Sequence, residues 1–270
     1  MEISKITFLI TVLLCFSSCD EAKKEIRNEE KLTQEIRDYY QLKIFSFNTS
    51  AQVQITEDYL QNAYLPAIKK LGIHNIGVFK PKTINTDSIK KVFVLIPFTS
   101  FDHFHNLEQK LAMNEIYISN GSTFLEASYE NVPFSRYESI ILKSFKDFPS
   151  LRTPLFKSKR LDRVYELRSY ESPTDNYFRN KVEMFNEGGE IILFDQLEFN
   201  AVFYGEVISG PKMPNLMYMT TFSDQASRDD HWKAFVDSPE WKKMASLTKY
   251  QNNVSHIDIT LLYPTAYSDY

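Results

Sequence analysis

The chain has 270 residues, of which 43% are hydrophobic and 24% charged, a balance typical of a folded protein with a substantial core and not of a disordered one. Its net charge is −4 and no basic block lies outside the N-terminal stretch, which argues against nucleic acid as a partner because phosphate binding requires a concentrated positive face. Both cysteines, Cys15 and Cys19, lie near the N-terminus, so the rest of the chain has no thiol for a disulfide, a cysteine-ligated metal or nucleophilic catalysis.

The N-terminus predicts an export signal over residues 1–18. Lys5 precedes an apolar run from Ile6 to Phe16, which has the length of a signal-peptide core and is too short to span a membrane. The sequence Phe16-Ser17-Ser18-Cys19 then resembles the lipobox of bacterial lipoproteins, with Phe16 where leucine is usual. This resemblance implies cleavage before Cys19, which would become the lipidated first residue of the mature chain. An ordinary secretory signal cut elsewhere is the alternative.

The segment after this cysteine predicts a tether. Residues 20–37 are dense in charge with isolated Ile and Leu, a composition that cannot bury enough apolar surface to fold alone. We therefore expect residues 19–37 to be a lipidated cysteine followed by a solvated spacer. The protein would be exported and anchored in a membrane of the cell envelope through the lipid on Cys19, on the periplasmic side or at the cell surface.

Residues 38–150 predict a first globular domain. Apolar residues at a period near two indicate strands, and apolar residues three and four apart indicate amphipathic helices. The helix from Ile55 to Leu71 contains Pro66, which is expected to kink or split it. The resulting order is strand, helix, strand, strand, helix, strand, which is the ferredoxin-like plan. Its strands are predicted at 38–47, 73–80, 91–97 and 137–145, its helices at 55–71 and 101–111, and a loop at 81–88.

Residues 151–270 predict a second domain with the same plan. Its strands are expected at 164–170, 199–207, 216–222 and 255–263, its helices at 175–187 and 227–245, and residues 189–197 are expected to be helical or irregular. Tyr40-Gln41-Leu42-Lys43 parallels Tyr165-Glu166-Leu167-Arg168, which indicates a duplication. Because each sheet would have helices on one face only, we expect the two open faces to pack together. The predicted fold class is α+β, with two tandem ferredoxin-like domains forming a dimeric-α/β-barrel-like pseudo-dimer.

The second domain carries an ordered set of residues over roughly a hundred positions. They are Tyr165 to Tyr170 in the first strand, Gly210-Pro211 and Asn215-Leu216 before the third, and Arg228, Trp232, Phe235 and Ser238-Pro239-Glu240-Trp241 in the second helix. In these residues the domain resembles the NIPSNAP family. This resemblance implies the dimeric α/β barrel fold. Animal members of the family are associated with vesicle transport and organelle surfaces. Related barrels include small monooxygenases and heme enzymes that bind ligands in the barrel interior, so the resemblance permits both a binding module and an enzyme.

Several side chains are weak candidates for a functional site. Arg168, Tyr170 and Glu171 are expected near the end of a strand, where a buried arginine could bind a carboxylate or phosphate through two parallel hydrogen bonds. The alternative is that Arg168 pairs with Glu171, Glu206 or a helix end. Glu206 could act as a base if burial raised its pKa, although a solvated acid at a strand end is the simpler interpretation.

Aromatic residues and histidines add little specificity. Tyr204 and Tyr218 are candidate ligand-binding residues, whereas the helical spacing of Trp232, Phe235 and Trp241 favours packing on the sheet over ligand stacking. The five histidines are scattered, and adjacent pairs on a helix point apart, so we expect no metal or heme. No cofactor is predicted from the sequence, which also lacks a nucleophile elbow, a phosphate-binding glycine loop and a zinc signature.

The sequence therefore predicts an exported, membrane-anchored lipoprotein that serves as a ligand-binding or protein-interaction module. Its partner would be a small molecule or an envelope protein, with homo-oligomerisation left open. The alternative is a metal-free enzyme, monooxygenase-like or isomerase-like, that acts on a small organic substrate in the barrel cavity. A closed polar cavity holding Arg168 and Glu206 together would favour the enzyme.

Overall fold

The computed structural model of the protein describes residues 37–82 and 90–270. The predicted signal peptide, the lipidation site at Cys19 and nearly all of the predicted tether lie outside these residues, as does most of the loop predicted at 81–88. Within the described part of the chain, no helix combines the length and the hydropathy that crossing a membrane would require.

The chain folds into two halves of similar plan. We define the first half as β1 (Tyr39–Phe47), α1 (Ser50–Tyr59), a π-helical segment (Leu60–Tyr64), α2 (Leu65–Lys70), β2 (Gly77–Pro81), β3 (Lys90–Phe98), α3 (Phe101–Ala112), α4 (Glu115–Leu125) and β4 (Arg136–Ser144). The second half comprises β5 (Val164–Glu171), α5 (Asp175–Phe185), α6 (Glu190–Gln196), β6 (Phe203–Ser209), β7 (Asn215–Phe222), α7 (Gln225–Asp237), α8 (Pro239–Ala245), a 3₁₀ turn (Thr248–Tyr250) and β8 (His256–Pro264).

The eight strands close into one barrel in the order β1-β3-β2-β8-β5-β7-β6-β4. Within each half the first strand lies between the third and the fourth, as in a ferredoxin-like sheet. Two antiparallel seams join the halves, β2 with β8 and β4 with β6, so that each half supplies one edge to each seam. Closure removes the open sheet edges. The prediction of two ferredoxin-like units that pair as a barrel is confirmed, and the pairing occurs within one chain.

Apolar side chains from both sheets fill the barrel interior. Strand alternation directs Tyr165 and Leu167 of β5 inward, where they join a buried cluster with residues of the first half such as Leu42 and Phe93. Glu166 and Arg168, the intervening residues, therefore lie on the outer face of the sheet, beneath the helices. A cavity of about 260 Å³ opens at one end of the barrel. Arg168 does not line this cavity, because its position in the strand places it on the other face.

The first helical region changes its hydrogen-bonding pattern next to a proline. Pro66 has no N–H to donate to the carbonyl of Asn62, and the π-helical segment ends two residues before it. The amide group of Asn120 on α4 donates to the Asn62 carbonyl at 3.3 Å, which satisfies the oxygen that the proline leaves free. The helix is thus continued through a π segment instead of being split.

Three local features differ from the sequence-based expectation. Strand β6 begins at Phe203 and not at 199, because Glu198 and Asn200 adopt positive φ angles of 55° and 44° that an extended strand does not accommodate. Helix α4 was not predicted; its Gly121 permits close approach to the first helical region, since an added Cβ would lie 3.3 Å from the ring of Tyr59. The helix predicted at 227–245 breaks at Ser238, which caps α8 through the amide of Trp241.

Candidate functional site

A fully buried carboxylate organises the outer face of the second-half sheet. Glu166, with a side chain that is 0% exposed, accepts hydrogen bonds from Arg228 at 2.8 and 3.1 Å, from Arg168 Nε at 2.6 Å and from Trp232 Nε1 at 2.7 Å. Burial by itself would raise the pKa of Glu166, but these donors outweigh it and lower the pKa below its ordinary value. Glu166 is therefore ionised at neutral pH and fixes two arginines in place.

Arg168 extends this network toward two phenols. Its Nη1 donates to the hydroxyl of Tyr170 at 3.0 Å, and that hydroxyl pairs with the hydroxyl of Tyr218 at 2.8 Å. The guanidinium lies 3.6 Å from the ring centroid of Trp232, within the range of a strong cation–π contact. Burial raises the pKa of Tyr218 well above its ordinary value, so this phenol keeps its proton at physiological pH and serves as a hydrogen-bonding group.

A second buried ion pair lies beside the first network. Lys181 on α5 and Glu190 at the start of α6 are 2.7 Å apart, with side chains 6% and 3% exposed. Gly189, with a φ of 90°, makes the sharp turn that brings the two helices together. Burial raises the pKa of Glu190 above its ordinary value although Lys181 opposes the shift.

A cleft of about 640 Å³ lies beside these two networks, between the sheet and the helices of the second half, and we call it the second-half cleft. Arg168, Lys181, Arg228 and Glu190 supply its charged wall. Its apolar wall is formed by side chains from α7, α8 and neighbouring segments, namely Met184, Trp232, Phe235, Val236, Trp241, Val254 and Ile257. The aromatic residues predicted to pack on the sheet do so and also line this cleft.

The structure separates the two residues that would have defined an enzymatic cavity. Glu206 pairs with Arg37 at 2.7 Å in a different surface depression from the one that contains Arg168. Arg168 pairs with neither Glu206 nor Glu171, the partners that sequence reasoning offered, but with Glu166. Glu166 was overlooked as a partner, although a strand period of two places it on the same face as Arg168.

Glu171 lies at the barrel mouth, on the opposite strand face from Tyr170. One ligand atom from each of Glu171, His256 and Asp258 falls within 4.8 Å of the others, a spacing that a metal ion could use. The amine of Lys212, however, contacts Asp258 and lies 3.6 Å from Glu171. The ammonium of Lys212 therefore occupies the position that a metal ion bound by Glu171 and Asp258 would take.

Tyr204 is buried on the outer face of β6, opposite Phe203 in the interior, as strand alternation requires. Its hydroxyl makes no hydrogen bond with any residue in the described ranges. Its ring stacks against Tyr218 at a centroid distance of 5.6 Å. Tyr204 thus supports the wall behind Tyr218 and does not line the second-half cleft, whereas Arg168 and Tyr170 do.

Comparison with known proteins agrees with this architecture. Residues 165–269 match the NIPSNAP family model. No curated protein matches the chain. A structure from Fusobacterium nucleatum with a provisional assignment as a monooxygenase is similar at a TM-score of 0.54 and 10% identity, over 84% of this chain and 92% of that one.

Two further solved structures are similar. One from Lactobacillus acidophilus, also provisionally assigned as a monooxygenase, has a TM-score of 0.53 and 11% identity over 84% of this chain and 94% of that one. A NIPSNAP-like domain protein from Burkholderia xenovorans is 17% identical over 40% of this chain and 90% of its own, with a TM-score of 0.37. At such identities the barrel structures establish the fold alone. Residues 165–269 are thus NIPSNAP-like in sequence, and the part of the chain that the structure describes has the fold of the dimeric α/β barrel proteins.

Proposed function

We propose that the protein is an exported, lipid-anchored binding module whose second-half cleft holds a small organic anion with a flat apolar body. The observation that carries this proposal is the composition of the cleft, in which cations held in fixed positions and aromatic rings line the same cavity. Its volume of about 640 Å³ suits a small ligand, since such sites usually measure roughly 300–1,000 Å³.

The charge balance favours an anion. Arg168, Lys181 and Arg228 contribute three positive charges to the cleft, against one carboxylate in its lining, Glu190, and one behind it, Glu166. The sum over these five groups is one net positive charge; Asp229, which lies outside the lining and is 58% exposed, also contacts Arg228 at 2.9 Å, where solvent screens its charge. Because ion pairing holds the arginines in place before a ligand arrives, the ligand would not bear the cost of ordering them.

An unsatisfied polar atom also faces this region. Asn253 lines the cleft and is 2% exposed, and its Oδ1 has no hydrogen-bond partner within residues 37–82 and 90–270. Buried polar atoms in native proteins are nearly always paired. A donor group on the ligand would satisfy this oxygen, while the anionic end binds the arginine side of the cleft.

The test is native mass spectrometry of the full-length protein, extracted gently from its own host. We expect a reproducible additional mass of small-molecule size that Val236→Trp removes, because Val236 lines the cleft and is 54% exposed, so a larger side chain can block the cleft without disturbing the core. Ala234→Trp on the same helix, outside the lining, is the matched control and should retain the ligand. A bare protein that also fails to bind a panel of aromatic carboxylates would overturn the proposal.

A second candidate function, a metal-free enzyme, is favoured by one observation. Glu190 is a buried carboxyl in the cleft with a raised pKa, and such a group is suited to exchanging a proton with a substrate. If this holds, Glu190→Gln should abolish turnover of the identified ligand while leaving its affinity within about threefold of the wild type. An unchanged rate would rule out this role.

The anchoring proposal rests on the sequence around Cys19. Cys19→Ala should abolish incorporation of labelled fatty acid and release the protein from the membrane fraction, because Cys19 carries the only thiol of the predicted lipobox, to which the lipid would be attached. Cys15→Ala is the matched control and should remain lipidated. Equal labelling of the Cys19→Ala variant would refute the lipoprotein assignment.

A further inference from the structure

The first half carries a second cleft in the corresponding place, which we call the first-half cleft. Lys43 lies on the outer face of β1 as Arg168 lies on that of β5, each three residues after a tyrosine that points into the barrel (Tyr40 and Tyr165). The cleft has a volume of about 530 Å³. It lies outside the range matched by the NIPSNAP family model, and its chemistry differs from that of the second half.

Lys43 lacks the buried counter-charge that Arg168 has. Gln41 occupies the position that Glu166 holds in the second half, so a neutral amide replaces the carboxylate. The Lys43 side chain is 8% exposed, and its ion-pair partner within the described ranges is Glu108, 3.4 Å away with a side chain that is 71% exposed. A buried ammonium is costly unless a nearby negative charge compensates it. A ligand anion would supply that charge.

Two oxygen atoms on the same wall are also unsatisfied. Oε1 of Gln41 and the hydroxyl of Tyr64 are buried and make no hydrogen bond to any part of the chain that the structure describes. Burial raises the pKa of Tyr64 to about 12, although the neighbouring Lys43 opposes the shift, so the phenol keeps its proton at neutral pH. The Tyr64 hydroxyl can therefore donate to an anionic oxygen placed against Lys43.

The remaining walls are aromatic. Of the fourteen residues that line the cleft, eight are Phe or Tyr, which leaves a single buried positive charge within an apolar container. Lys43 Nζ lies 4.4 Å from the ring centroid of Tyr64 and 5.8 Å from that of Tyr137. These rings fix the ammonium at the inner end of the cleft, while Leu125 at its rim is 41% exposed.

We infer that the first-half cleft is a second binding site, selective for monocarboxylates with a compact apolar or aromatic body. The carboxylate would pair with Lys43 and accept a hydrogen bond from Tyr64, and the body would pack among the rings. The buried ammonium would balance the single charge of a monocarboxylate, because the carboxylate of Glu108 at the cleft is 71% exposed and screened by solvent, whereas a phosphate dianion would leave surplus negative charge in a largely aromatic site. The inference is independent of any ligand in the second-half cleft.

The experiment uses full-length protein in detergent with 1-naphthoate as the probe, followed by isothermal titration calorimetry. All variants carry Val236→Trp, which blocks the second-half cleft. The heat measured therefore comes from naphthoate binding at other sites. We expect one site in this background with a Kd below about 1 mM, and affinity at least about tenfold weaker for the neutral analogue 1-naphthalenemethanol. Adding Lys43→Met should weaken naphthoate binding by about tenfold or more.

Two substitutions on α4, one at the cleft rim and one outside the lining, keep the test decisive if Lys43→Met does not fold. Leu125→Trp fills the cleft mouth and should remove the site, whereas Ile116→Trp, on an exposed position of the same helix outside the lining, should leave it intact. Binding that survives both Lys43→Met and Leu125→Trp would overturn the inference. So would a complete loss of naphthoate binding in the Val236→Trp background alone, because all binding would then belong to the second-half cleft.

Discussion

Replacing Glu166 by glutamine removes the charge at the centre of the second-half network while keeping its shape. The side chain is 0% exposed and is held by Arg168, Arg228 and the indole of Trp232. Removing one partner of a buried ion pair typically costs about 3–5 kcal/mol, because the remaining charges are left uncompensated. Glutamine can still accept hydrogen bonds, so we expect a loss near the lower end, about 3 kcal/mol. For a folded region of this size that corresponds to a fall in Tm of roughly 6–12 °C.

The pH dependence gives this prediction a second readout. The donors around Glu166 lower its pKa in the folded state below its ordinary value of 4.5. A carboxyl with a lowered pKa contributes stability that is fully present above its unfolded pKa and is lost as the pH falls through the folded pKa. The difference in unfolding free energy between wild type and Glu166→Gln should therefore be constant above about pH 5 and shrink below about pH 4.5.

Urea unfolding of both proteins at pH 7 and pH 4 measures these differences. Glu187→Gln is the matched control, since its side chain is 56% exposed, its ion-pair partner Lys146 is 51% exposed, and removing the charge should change stability by less than about 1 kcal/mol. A Glu166→Gln variant within about 1 kcal/mol of the wild type at pH 7 would refute the structural role assigned to this carboxylate. A deficit that stays the same at acid pH would show that charge is not its origin.

Three further perturbations test other parts of the fold. Phe79→Ala, at the seam between the halves, should lower the free energy of unfolding by about 3–5 kcal/mol. The unfolding transitions followed by tryptophan fluorescence and by circular dichroism should shift together, although both tryptophans lie in the second half; an unshifted fluorescence transition would mean that the halves unfold separately. Lys181→Met should lower the free energy of unfolding, measured with urea, by about 3–5 kcal/mol at pH 8, because it leaves the buried Glu190 carboxylate without its partner. The loss should be smaller at pH 5, because burial raises the pKa of Glu190 and protonation then neutralises it; an equal loss at both pH values would contradict this explanation. Thr49→Ala should lower the free energy of unfolding by about 1 kcal/mol, since it removes the capping box with Gln52, whereas Thr49→Ser should be nearly neutral; equal losses would argue against the cap.

Periodicity within single segments explains what could be predicted. The alternation in Tyr165-Glu166-Leu167-Arg168 identifies a strand and two residue faces, and its echo at Tyr40 to Lys43 identifies the duplication. These properties depend on neighbours along the chain, so they can be read without tertiary contacts. Where local signals misled, as at β6, the buried Phe199 resembled a strand residue although the backbone at Glu198 and Asn200 has positive φ.

The sequence by itself determined the duplicated ferredoxin-like plan, the pairing of two open sheet faces, and the confinement of cysteine to the N-terminus. Only the tertiary structure decided that Arg168 binds Glu166, that Arg228 closes the same network from a helix 62 residues away, and that Lys43 has the exposed carboxylate of Glu108 as an ion-pair partner. Backbone periodicity is a local property, which the order of residues encodes directly. The partner of a buried charge is set by which helix covers which sheet face, and that depends on the packing of the whole barrel.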